Sequence, residues 1–154
     1  MSYSAPSTRS TGDIITAAIW NQDVVANVIA LTPTGLIWLF DGGGAPYSTG
    51  IHRPLLVPFT HTISRATLLH DQSSTTTIDI WKTTYANYDM STHPVNGDSI
   101  TASAEPNTSA AIKSQDTTLS GWTTSGAADA IYLPNVDAND NAAWTMLSLK
   151  IAYS

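Results

Sequence analysis

The sequence predicts a mainly β protein: an antiparallel β-sandwich of the jelly-roll type, preceded by an extended N-terminal arm and one short α-helix. Three observations carry this. Beyond Gly35 the apolar residues fall into about eight short runs, several strictly alternating, which is the period of a half-buried strand. Clusters of Gly, Pro, Asn and Asp punctuate those runs as turn signals. No helical pattern alternates with the strands, which disfavours a parallel α/β sheet. The chain has 154 residues and no cysteine, so a single core must hold it without disulfides, and thiolate metal sites are excluded.

Residues 1–13 are polar, carry Pro6 and Gly12, and have no periodicity, so they read as an arm. They also lack the apolar core of a signal peptide. A helix is expected next. Thr16 is a suitable N-cap, and Ile15 with Trp20 makes a hydrophobic staple. Trp20, Val24, Val28 and Leu31 fall on one helical face. Thr32-Pro33-Thr34-Gly35 then stops the helix. The helix either closes one end of the domain or docks on a partner or trimer axis; on the second reading residues 1–35 form an attachment or oligomerisation segment whose interface residues are Ile15, Trp20, Val24, Val28 and Leu31, and 36–154 form the sandwich.

Within the sandwich, 36–40 is an apolar run closed by the turn Asp41-Gly42-Gly43-Gly44. The stretch 50–59 holds Pro54 and Pro58 and suits an edge or bulged strand, because proline removes ladder donors. In 62–69, Ile63, Ala66 and Leu68 are core candidates. Along 76–83, Ile78 and Ile80 face one way while Asp79 and Trp81 face the other. The stretch 85–96 is irregular, 98–103 a short strand, and 110–118 a strand that pairs with a neighbour. Ile131 and Leu133 lie in a strand over 129–136. The clearest strand is 144–153, with Leu147, Leu149, Ile151 and Tyr153 on its buried face.

The formal net charge is −6, and the six basic residues Arg9, Arg53, Arg65, Lys82, Lys113 and Lys150 are scattered. Nucleic acid is therefore not an expected partner, since neutralising phosphates needs clustered cations. No apolar run approaches the roughly 20 residues of a membrane span. Charged residues make up only 12%, with Ser, Thr, Asn and Ala at the polar positions instead. Such a surface suits contact with neighbours, where ordering a Lys or Glu would cost about 1.5–2 kcal/mol in rotamer entropy.

Candidate chemistry is sparse, and no catalytic residue, cofactor or strong metal site is predicted. Asp41-Gly42-Gly43-Gly44 lacks the Lys of a phosphate loop and reads as a turn needing positive φ. His52, His61, His70 and His93 have no helical i, i+4 pairing; they are expected to be solvated or hydrogen-bonded, with His61 and His70 conceivable neighbours across a trimer axis. Asp137, Asn139 and Asn141 alternate like the start of a calcium loop but lack its glycine and distal Glu, so a weak calcium site competes with a plain loop tip. Asp79 is expected to face solvent or pair with Arg65 or Lys82, with no second carboxylate evident. Nor is there a Gly-x-Ser-x-Gly elbow. Of Trp20, Trp38, Trp81, Trp122 and Trp144, two or three should be core, leaving the others for subunit contacts or sugar stacking.

Several stretches resemble a domain that recurs in structural proteins of tailed bacteriophages. They are Asp41-Gly42-Gly43-Gly44, Thr49-Gly50-Ile51, Val57-Pro58-Phe59, Leu68-Leu69-His70-Asp71-Gln72-Ser73 and Ile78-Asp79-Ile80-Trp81-Lys82. Tyr85-Ala86-Asn87-Tyr88, Asp98-Ser99-Ile100-Thr101, Leu119-Ser120-Gly121-Trp122-Thr123-Thr124 and Leu147-Ser148-Leu149-Lys150 continue the likeness. Gly12-Asp13-Ile14-Ile15-Thr16-Ala17-Ala18-Ile19-Trp20-Asn21 resembles the helical lead-in of phage fibre and head-associated proteins. The chain departs from that pattern at His52-Arg53-Pro54. The resemblance implies a β-sandwich, a homotrimer and no catalytic residues. On it, the expected function is that of a capsid decoration (cement) protein on the outer surface of the phage head, bound to the major capsid protein. The alternative is a tail-fibre or head-fibre module that binds a host-surface glycan.

Overall fold

The computed structural model describes residues 14, 16–20, 35–89 and 94–153. The chain divides into two units, Met1–Thr34 with Tyr153, and Gly35–Ala152 with Ser154. In the first, the described residues form a single-turn helix, α1 (Ala17–Trp20), closed by a hydrogen bond from the Trp20 amide to the Thr16 carbonyl at 3.0 Å. That bond puts Thr16 at the position before the first helical residue, where the sequence placed the cap. Ile15, Val24, Val28 and Leu31 lie outside the described residues, and so does His93.

The second unit is an antiparallel β-sandwich. Its strands are β1 (Gly35–Asp41), β2 (Gly50–Ile51), β3 (Leu55–Val57), β4 (His61–Ser74), β5 (Thr76–Thr84), β6 (Ala111–Asp116), β7 (Ser125–Gly126), β8 (Ala130–Asn139) and β9 (Trp144–Tyr153). One sheet runs β1-β9-β4-β6, with β7 also on β4; the other centres on β8, which pairs with β2, β3 and β5. Since β5 follows β8 along its length, β2 and β3 share the opposite side of β8.

Alternation decides which face is buried. Leu36, Trp38 and Phe40 of β1, and Thr145, Leu147, Leu149 and Ile151 of β9, turn inward against Ile78 and Ile80 of β5 and Tyr132 and Val136 of β8. Ile63, Ala66 and Leu68, the expected core residues of this stretch, join them, although the buried parity of β4 changes between Ile63 and Ala66. Trp38, Trp81 and Trp122 are buried, while Trp20 and Trp144 are exposed. Tyr153 shares the parity of Ile151 but is half exposed, since it ends the strand beyond the core.

Two of the changes of sheet at one end are made by short links. Only Thr75 separates β4 from β5, and residues 140–143 carry β8 into β9. The turn after β1 is built as its glycines require: Gly43 and Gly44 have positive φ, Gly43 donates to the Asp41 carboxylate at 2.7 Å, and a Cβ on Gly42 would strike the Ala45 carbonyl. One expectation holds and one needs correcting. Residues 111–116 pair within their own chain, on β4, because the edge of β4 beyond β9 was open to them. The stretch 98–103 is not a strand; a 3-10 turn (Asn96–Asp98) leads into an irregular strap across the β5 edge. Ile80 accepts from Ile100, Pro106 accepts from Ile78, and Thr76 accepts from Thr108.

Candidate attachment surface

Surfaces that meet partners are found by asking which apolar side chains the fold leaves in water. Among the described residues of the N-terminal segment these are Ile14 and Trp20, 82% and 55% exposed. Ala17 and Ala18 are exposed as well. Of the interface residues expected from the helical face, Trp20 is thus placed with its indole half in solvent.

On the sandwich, the outer face of the five-stranded sheet carries Ile37 and Leu39 from β1, 53% and 75% exposed, beside Met146 and Trp144 from β9. The register puts Leu39 directly opposite Met146 and diagonal to Trp144, so the four form one patch. An exposed contiguous apolar patch marks an interaction site more often than a scattered one does. A groove of about 400 Å3 runs beside this strand, walled by Ile37, Trp38, Leu39 and Phe40 on one side and His52, Arg53 and Leu55 on the other. The Trp38 indole donates across it to the Arg53 carbonyl at 3.0 Å. Nothing in the sequence pattern distinguished this patch, because alternation alone says only that Ile37 and Leu39 point away from the core.

A second hollow of about 350 Å3 lies at the far end of β5, lined by Lys82, Thr83, Thr84, Asn87, Asp98, Ala127, Ala128 and Ala130. Tyr85, in the adjoining turn, is 76% exposed.

The remaining candidates are structural. Asp79 is 1% exposed, contrary to the expectation of a solvent-facing or ion-paired residue. Its Oδ1 accepts from the Ile80 amide (2.7 Å), the Ser99 hydroxyl (2.7 Å) and the Thr101 hydroxyl (2.6 Å), and its Oδ2 from the Trp81 indole (2.6 Å). Neutral donors thus hold the strap to the outer face of β5. Nearby carboxylates feel that charge: burial raises Glu105 and Asp137 above the usual carboxylate range, with repulsion from Asp79 adding to both.

Asp137, Asn139 and Asn141 each have a use inside the fold. Asn135 donates to the Asp137 carboxylate at 2.5 Å. The Asn139 Oδ1 accepts from Ser74 (3.4 Å), Thr76 (3.2 Å) and the Ala142 amide (3.1 Å), while its Nδ2 donates to the carbonyls of Tyr47 (3.1 Å) and Ala142 (3.0 Å). The Asn141 amide donates to Ser74 at 3.1 Å. Asn139 therefore clasps the two chain crossings, and its oxygen is already engaged by three donors. Among the described residues no group of three His, Cys, Asp or Glu side chains is placed to hold a metal.

His61 and His70 are buried in the interior of the sandwich and are not at a surface where subunits could meet. The Phe59 carbonyl can only accept, so His61 donates to it from Nδ1 (2.8 Å) and accepts from the Tyr132 hydroxyl at Nε2 (2.8 Å). Burial pushes the Tyr132 phenol up to about 12. Tyr47 donates to Thr145 at 2.7 Å, and Thr145 meets His70 Nδ1 at 2.8 Å. The His70 Nε2 is buried without a hydrogen-bond partner among the described residues, and burial lowers the pKa of the ring.

No family model, curated protein or solved structure matches this chain.

Proposed function

We propose that the chain is a non-enzymatic structural protein of a tailed-bacteriophage particle. In this reading it decorates the outer surface of the head as a trimer bound to the major capsid protein, and its sandwich is of the jelly-roll type. The observation that carries the proposal is the exposure of Ile14 and Trp20 on the N-terminal segment, outside the sandwich's own core. Apolar side chains left in water on such a segment are anchors for another surface. The low share of charged residues favours close contact with neighbours in the same way. A protein that binds only the mature lattice adds its binding free energy to the shell by mass action.

Trp20→Ala tests the anchor. Because the indole is half exposed in the free chain, the variant keeps the melting temperature of the parent. Its affinity for undecorated heads, measured by co-sedimentation, falls by about 2 kcal/mol or more if Trp20 is a buried anchor in the complex. Unchanged co-sedimentation overturns the assignment.

A second reading has its own support. Tyr85 stands exposed beside the hollow formed by Lys82, Asn87 and Asp98, an aromatic next to polar side chains as a sugar would require. It makes the protein a fibre module that binds a host-surface glycan. Specific hits on a glycan array, lost in Tyr85→Ala, would favour it; an array without hits would remove it.

A further inference from the structure

A sheet edge exposes unpaired amides and carbonyls, and proteins blunt such edges with proline, lysine, bulges or a covering segment. Three of this sandwich's four edges are treated so. The β5 edge lies under the strap 99–108. The β2–β3 edge is broken into two short strands around Pro54. The β6–β7 edge is interrupted, carries a register shift against β4 and presents Lys113. Among the described residues, only β1 is left plain. It is 7 residues long, pairs with β9 without a register shift, and contains neither proline nor lysine.

The backbone of that edge is turned outward in a definite way. Gly42 donates to the Ala143 carbonyl at 2.8 Å, in the same register that pairs Asp41 with Trp144. Antiparallel pairs alternate between hydrogen-bonded and not. The Phe40–Thr145 and Trp38–Leu147 pairs are therefore the bonded ones, and Ile37, Leu39 and Asp41 point their amides and carbonyls away from β9. The same residues point their side chains to the outer face, where Ile37 and Leu39 are exposed.

We propose that the β1 edge is a two-fold contact between two copies of this chain, in which the two β1 strands pair antiparallel about Trp38. Of the available registers, this one pairs all seven residues. Ile37 then faces the partner's Leu39, and Leu39 the partner's Ile37, in hydrogen-bonded pairs. The patch of Ile37, Leu39, Met146 and Trp144 becomes continuous across both copies. Charge agrees with this register. Asp41 falls opposite the partner's Gly35, and Lys150 is the β9 neighbour of Gly35. Two strand spacings are about 10 Å. Across a glycine with no side chain, the partner's Lys150 reaches the Asp41 carboxylate, once at each end of the pair. No like charges oppose one another along the strand. Being two-fold, the contact joins chains of different trimers in the proposed assembly and is not the contact within a trimer.

The chain has no cysteine, so cross-linking reads the register directly. Hydrogen-bonded pairs have Cα atoms about 5.5 Å apart, within the range a disulfide spans. Ile37→Cys and Leu39→Cys are mixed and oxidised. A disulfide-linked heterodimer is expected in excess of either homodimer, because like positions are two residues out of register. Sedimentation of the otherwise native protein accompanies it. Association is expected to weaken by about tenfold or more in Leu39→Lys, with circular dichroism showing that the variant is folded. A wild-type chain that stays monomeric overturns the proposal. So does association that Leu39→Lys leaves intact, or cross-linking no better in the mixture than in each variant alone.

Discussion

Asp79 is the residue whose placement departs furthest from its sequence. A lone carboxylate in an apolar strand reads as solvent-facing, yet it is buried and receives four hydrogen bonds from neutral donors. Charge-assisted bonds of this kind are the strong ones. Asp79→Ala would strand two hydroxyls, an indole and an amide, and a cost of roughly 3 kcal/mol or more is expected in chemical denaturation. Asp79→Asn is expected to destabilise less but measurably, since an amide NH2 would face donors. Glu105→Gln should raise the melting temperature, because it removes a charge that Asp79 and Asp137 repel. No pattern pointed to this arrangement: Ser99 and Thr101 come from an irregular strap, and their reach to Asp79 is a tertiary fact.

His70 gives a pH dependence whose sign is fixed by burial. Its folded pKa is held below the ordinary 6.5, chiefly by desolvation, with Asp71 opposing. The unfolded chain therefore binds a proton that the native state resists. Its contribution to stability is complete above the ordinary pKa and is lost as pH falls below it. The melting temperature is expected to drop between about pH 7 and pH 5, with a flatter profile in His70→Gln. A profile unchanged by that substitution would show that another group titrates there.

At the scale of elements, the alternating strands were legible. Leu147, Leu149 and Ile151, Ile78 and Ile80, and Ala66 and Leu68 all lie inside as their spacing required, because a period of two is enforced wherever one face is dry. The tertiary ties were not legible. Residues 137–141 offered oxygens at a spacing that also suits a cation; the fold uses Asn139 to clasp the crossings at Thr75 and 140–143. Asn139→Asp would set a carboxylate against the Tyr47 and Ala142 carbonyls that its amide now reaches, and a loss of about 2–4 kcal/mol is expected from unfolding curves. Adding calcium should leave the melting temperature of the native protein unchanged, since its oxygen is already engaged. Gly126 makes a second such tie: a Cβ there would strike the His61 ring and the Tyr132 hydroxyl, so Gly126→Ala is expected to cost about 1–3 kcal/mol as overpacking.

Among the described residues, the apolar surface left in water includes Ile14 with Trp20 on the N-terminal segment and the patch along β1 on the sandwich. A net charge of −6 with scattered cations directs neither of them toward nucleic acid. Both suit contact with protein, which is what the proposed lattice role requires. Val24, Val28 and Leu31 of the expected interface lie outside the described residues, and the helical turn that carries Trp20 was legible from the sequence. The β1 edge was not, because it depends on what the three other edges do. The most direct test of the decoration role is the copy number of the chain against the major capsid protein, by quantitative mass spectrometry of purified particles. Near-stoichiometric abundance with the shell protein is the predicted result. A handful of copies per particle would contradict it and place the protein at a vertex or on the tail.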